Sequence, residues 1–177
     1  PNTGFINFTV AHELGHYFID GHPQLLFPNG EGVHQSNSGF ASRDKHEKEA
    51  DHFAVGLLMP EHLFVPEVRR TGSGFPAIKA LATKCCTSLT ATAIRYTELT
   101  DDPVAVIISS NGRIDYSVIS PSLRDALGQS RWNLRGEPVP RKAVAWDFHA
   151  SPDKIRLGAE EEGVSSIDIW FDDGPDM

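Results

Sequence analysis

The chain has 177 residues, 40% hydrophobic and 23% charged, and carries a formal net charge of −8. Such a length makes one domain or two small ones and buries about 70% of the unfolded surface, so neither disulfides nor a metal is required for folding. The acidic balance excludes binding to nucleic acid or an anionic membrane through bulk charge, and no run of about 18 apolar residues offers a membrane span.

A first helix is expected over Asn7 to Ile19, where Val10, Leu14, Tyr17 and Phe18 recur at helical spacing, and it stops at Asp20-Gly21-His22-Pro23. From Gly21 to Arg43 the sequence is rich in Gly, Asn, Ser and Pro and reads as a long connection. A second helix begins near Asp44, whose spacing to Glu47 fits a capping box, and carries Ala50, Phe53, Ala54, Leu57 and Leu58 on one face until Pro60. Pro60 then suits the first turn of a third helix, Glu61 to Arg70. After Thr71-Gly72-Ser73-Gly74, two helices over Phe75 to Lys84 and Ser88 to Leu99 flank a tight turn at Cys86 and Thr87, a helix-turn-helix in outline. Cys85 and Cys86 are the only cysteines and cannot close a disulfide loop, which points to a reducing, cytoplasmic setting.

From Asp101 the character changes. Val104 to Ser110 and Arg113 to Ser120 are strand-like runs around Asn111-Gly112, a strong hairpin signal. A short helix near Ser122 to Leu127 and strands near Ala143 to Phe148 and Val164 to Phe171 are expected to complete a second subdomain. Beyond Ala159 the chain has seven acidic residues and no basic one, the composition of a solvated end. The expected organisation is therefore α+β: a mainly helical core over 1–72, a helix-turn-helix-like segment over 73–100, and a small α+β subdomain over 101–177.

Of eight histidines, seven lie between His12 and His62. Among them is His12-Glu13-Leu14-Gly15-His16, an HExxH motif on the first helix. Residues four apart share a helical face, so the two imidazoles can hold one cation while Glu13 stands beside it. A zinc ion needs a third protein ligand and an open position for water. Glu47 and Asp51 are four apart on the second helix, which makes Glu47 the proposed third ligand and Asp51 the acceptor that orients His12 or His16. Glu49 is the rival ligand, because helix boundaries shift by that much. With zinc in place the parts make an amide hydrolase, in which Glu13 accepts a proton from water and delivers it to the leaving amine. Tyr17, His22, His46 and His52 are unranked candidates for a further transition-state donor. His34, His62 and His149 carry no motif.

The run Phe8-Thr9-Val10-Ala11-His12-Glu13-Leu14-Gly15-His16-Tyr17, followed by Glu47-x-Glu49-Ala50-Asp51-x-Phe53-Ala54-x-x-Leu57-Leu58-Met59-Pro60, resembles the ImmA/IrrE family of zinc metallopeptidases. The resemblance implies a gluzincin-like zincin site with His12, His16 and Glu47 on zinc and Glu13 catalytic. It implies a protein substrate, typically a helix-turn-helix repressor cut at one site to release stress-response or mobile-element genes. Residues 101–177 are similar to a truncated form of the family's GAF-like sensor region. Zincin-type proteases also present an edge strand upstream of the motif, and only eleven residues precede His12, so part of the substrate groove is expected to be missing. Direct DNA binding is not expected: Arg95 is the only basic residue of Ser88 to Leu99, and Asp101 to Met177 has 14 acidic against 8 basic residues. The competing reading is a non-catalytic regulator, partner-binding or DNA-binding, that retains the metal-site fold.

Overall fold

The computed structural model describes residues 3–26, 44–128, 133–161, 163 and 166–171. It is mostly helical with one small antiparallel sheet, an α+β chain that divides into two units, Pro1–Leu99 and Thr100–Met177. Among the described residues no helix is long and apolar enough to cross a membrane.

The first unit contains α1 (Thr3–Phe18), α2 (His22–Leu26), α3 (Lys45–Leu58), α4 (Glu61–Thr71), α5 (Gly74–Cys85) and α6 (Leu89–Leu99). Most of the expected connection, residues 27–43, lies outside the described residues. Helix α1 forms where its spacing places it, but not with the apolar face inward. Val10, Leu14, Tyr17 and Phe18 are exposed, whereas Gly4, Phe8, Ala11, His12, Gly15 and His16 are buried. The inward stripe is thus small residues and imidazoles, a pattern a hydrophobicity count does not detect.

Asp44 caps α3 by accepting from the His46 backbone N–H at 2.8 Å, and that bond holds its carboxyl below the usual range. Glu47, in the first turn, is buried and turned towards the histidines of α1. Glu47, Ala50, Asp51, Ala54 and Val55 form the buried stripe of α3, while Leu57 of the expected face is exposed. Gly15 of α1 meets Ala50 of α3 so closely that a Cβ on Gly15 would sit 3.0 Å from the Ala50 Cα. Only a glycine against an alanine lets the two backbones approach this far.

Helices α4, α5 and α6 complete the first unit around Phe64, Leu81, Ile94 and Tyr96. The segment drawn from sequence as a separate helix-turn-helix region lies in the same unit as α1. Its second helix is a core element: Ala91, Thr92, Ala93, Ile94, Tyr96 and Thr97 are all buried. Arg95 donates to the Met59 carbonyl and to Glu98, so the one cation of that helix is engaged within the protein.

In the second unit, β1 (Ala105–Ser110) pairs antiparallel with β2 (Arg113–Ile119) around Asn111 and Gly112, whose φ values of 49° and 73° suit a tight hairpin turn. Helices α7 (Pro121–Leu127), α8 (Val144–His149) and α9 (Pro152–Arg156) and a 3₁₀ turn, Ile167–Ile169, follow. Ile114, Ile119, Leu123, Leu127, Leu134, Val139 and Phe171 make the core. The strand expected near Ala143 to Phe148 is corrected to helix α8, and the described part of the one expected near Val164 to Phe171, residues 166–171, holds the 3₁₀ turn in place of a strand. Ala145 and Trp146, adjacent in sequence, both pack on that core, as do Ile167, Trp170 and Phe171. A strand would send adjacent side chains to opposite faces, whereas a helical turn keeps them together. The acidic end lies mostly outside the described residues.

Ser120, fully buried, ties β1 to α7: its hydroxyl accepts from Val104 N–H at 3.0 Å and Leu123 N–H at 3.3 Å and donates to the Asp102 carbonyl at 2.8 Å. Ser120→Ala is expected to cost about 1–3 kcal/mol, since it removes a cap and takes an acceptor from the buried Leu123 N–H and the partly buried Val104 N–H. All three tryptophans follow residue 100, so urea unfolding followed by tryptophan fluorescence reads this unit directly. An unchanged midpoint would show that the knot is not stabilising.

Candidate metal centre

Two helices supply the centre. His12 and His16, one turn apart on α1, face Glu47 in the first turn of α3, and one ligand atom from each of the three lies within 4.8 Å of the others. The Nε2 atoms of His12 and His16 are 3.1 Å apart, and Glu47 places Oε2 3.5 Å from the first and Oε1 3.4 Å from the second. A tetrahedral metal with bonds of 2.0–2.2 Å separates its ligand atoms by about 3.3–3.6 Å. The two imidazole–carboxylate separations fall in that range and the imidazole–imidazole one is slightly shorter, so the three buried side chains are close enough together to hold one small cation.

The hydrogen bonds behind the ligand atoms fit the same group. His12 Nδ1 lies 2.8 Å from Asp51 Oδ1, and Asp51 is wholly buried. An ionised carboxylate only accepts, so His12 donates from Nδ1 and presents a lone pair at Nε2. His16 Nδ1 lies 3.0 Å from His22 Nδ1, and His22 Nε2 lies 3.1 Å from Glu49 Oε2. Glu49 is held below the usual carboxylate range by His22 first and Lys45 second. Acceptors brought as close as these repel one another, and a cation among them removes the repulsion.

The electrostatics of the two imidazoles diverge. Burial opposes charging of His12, but the hydrogen bond to Asp51 and the charges of Asp51, Glu47 and Glu13 outweigh it and raise its pKa above the ordinary imidazole value. His16 goes down instead, through burial and then the neighbouring His12, with Glu47 acting against both. Both histidines sense Glu13, which is exposed on α1 beside them. The arrangement thus combines a buried His-His-Glu cation site with an exposed carboxylate in electrostatic reach of it.

The remaining residues singled out from sequence fall elsewhere. Glu49 lies outside the cluster of three and pairs with His22 and Lys45. His22, 1% exposed, spends both ring nitrogens on His16 and Glu49 and has none left to offer a substrate. His46 turns Nδ1 to Asp44 at 3.2 Å, and exposed His52 donates to the Lys48 carbonyl at 2.6 Å. Tyr17 is 72% exposed. The link from His22 to His16 was not visible in sequence: the two are six apart, and a turn through Gly21 at φ +89° folds α2 back to bring their rings together.

Residues 6–83 match a peptidase family described as the IrrE N-terminal-like domain. The matched span begins in α1, holds all three converging residues and ends in α5. No curated protein matches the chain.

Proposed function

With residues 6–83 forming a domain of the IrrE N-terminal-like peptidase family, we propose that the chain is a zinc-dependent, site-specific endopeptidase. The observation that carries this reading is the convergence of His12, His16 and Glu47 from two helices, one ligand atom of each within 4.8 Å of the others, with Glu13 exposed beside them. Bound there, zinc supplies a Lewis acid for the scissile carbonyl and for water. Asp51 holds the Nδ1 proton of His12 and so keeps its Nε2 free as a ligand atom. Glu13 takes the proton of the attacking water on a carboxylate oxygen and returns it to the departing amine nitrogen. The buried ligand set stays fixed while the exposed carboxylate reaches the substrate.

The resemblance to the ImmA/IrrE family supports a helix-turn-helix transcriptional repressor as the substrate, its cleavage relieving repression in a stress response. In this reading residues 101–177 are a sensor-like accessory region and the protein works in the cytoplasm, a placement favoured by its adjacent free thiols. The burial of α6 and the engagement of Arg95 favour a packing role for that helix over DNA contact.

The purified chain is expected to carry about one equivalent of zinc, and His12→Ala to lose it, because two remaining ligands do not hold the ion. Metal analysis after gel filtration checks both. Cleavage of a co-expressed repressor should stop with a chelator and return with added zinc. A repressor that stays intact beside the zinc-loaded, full-length protein would remove the reading.

A further inference from the structure

The buried groups around the centre are not all used by the chemistry just described. His22 and Glu49 have no ligand role, yet His22 is 1% exposed and its imidazole lies between a proposed metal ligand and a carboxylate. The end of this chain of contacts fixes the rest. Glu49 accepts only, so the proton between Glu49 Oε2 and His22 Nε2 belongs to His22. A neutral His22 then carries a lone pair at Nδ1, and the proton in the 3.0 Å contact with His16 Nδ1 belongs to His16. His16 is left with its lone pair at Nε2, the atom that faces His12 and Glu47.

We propose that His22 and Glu49 are positioning residues for the metal centre: a carboxylate–imidazole relay that sets the tautomer and ring orientation of His16, as Asp51 does for His12. The proposal rests on the metal-centre reading. The two supports are built differently. Asp51 is buried and touches its histidine directly, one turn after Glu47 on the same helix face. Glu49 is part exposed and lies two residues from Glu47, about 200° around the helix, too far round to face the ligands. An intervening imidazole from α2 spans that gap. Lys45, 3.4 Å from Glu49 Oε1, holds the outer end of the relay. This arrangement also gives α2 a purpose: the short helix after the Gly21 turn is what returns His22 to the face of α1.

The test reads zinc affinity by competition with a chromophoric chelator on the full chain, alongside wild type. His22→Phe keeps the ring volume and removes the acceptor, and is expected to weaken zinc binding by about 10–100-fold. His22→Gln, whose side-chain carbonyl can accept the His16 proton, should recover most of that loss. A purely structural role predicts the reverse order, with Phe the better tenant of a buried site. Long-range proton–nitrogen spectra of zinc-loaded wild type give a reading that needs no variant to fold: His16 should carry its proton on Nδ1 and His22 on Nε2. Zinc affinity of His22→Phe within twofold of wild type, no recovery in His22→Gln, or the proton found on His22 Nδ1 would each overturn the relay and leave the metal centre standing. Wild type that binds no zinc would overturn both.

Discussion

Glu13→Gln is expected to keep its zinc and lose its hydrolysis. The substitution preserves shape and removes the ability to take a proton at neutral pH, so the rate should fall by about 10²–10⁴-fold, the range for a displaced general base. Glu13 is exposed and is not among the three converging residues, so metal content and melting temperature should match wild type. The two measurements together separate the catalytic reading from the regulator that merely retains the fold. A regulator would act on its partner equally well with Gln at this position. If Glu13→Gln cleaves repressor at the wild-type rate, the assignment of the proton acceptor is wrong. If it loses zinc as well, the residue serves the centre and not the reaction.

Gly15→Val should damage the centre from a position whose own side chain supplies no ligand atom. A Cβ at residue 15 would lie 3.0 Å from the Ala50 Cα, 3.2 Å from the Ala50 carbonyl oxygen and 3.2 Å from the Phe53 Cβ. Two of these are backbone atoms and cannot rotate away, so α1 and α3 must separate. Overpacking of this kind costs about 1–3 kcal/mol, and the β-branched side chain adds its own strain in a helix. Separation moves Glu47 and Asp51 away from His12 and His16 together, and zinc affinity should drop by about 100-fold, as when a supporting contact or ligand is misplaced. Gly56, on α3 with nothing near a built Cβ, is the control. Gly56→Ala should stabilise by about 0.5–1 kcal/mol through helix propensity and leave zinc binding alone. Melting of the metal-free proteins and chelator competition check both. Equal zinc affinity in Gly15→Val and wild type would show that the close approach does not set the ligand geometry.

Much of the local structure was legible because local rules govern it. The HExxH spacing places two imidazoles on one face of a helix wherever that helix packs. Asp44 stops the backbone before α3 through its own side chain, and Asn111-Gly112 turns the hairpin through its own dihedral angles. The errors came where a pattern was asked to report on distant neighbours. Val10, Leu14, Tyr17 and Phe18 reveal the period of α1 but lie on its exposed face. Glu47, placed from spacing in the first turn of α3, meets the imidazoles of α1 only because of how the two helices pack. Ala143 to Phe148 has strand-like composition and becomes helical because a shared core needs Ala145 and Trp146 on the same side.

By itself the sequence determined the kind of chemistry: a motif for two imidazole ligands, an adjacent carboxylate, and a second helix offering acidic residues. Those features depend on angles within single helices, which 3.6 residues per turn makes calculable from spacing. Only the tertiary structure decided which acidic residue meets the imidazoles, which histidine Asp51 supports, and that His22 and Glu49 stand behind the other. The reason is that the rotation and separation of α1 against α3 are properties of the contact between them. Gly15 packing on Ala50 fixes that contact across residues more than thirty apart in the chain, beyond the reach of any spacing rule.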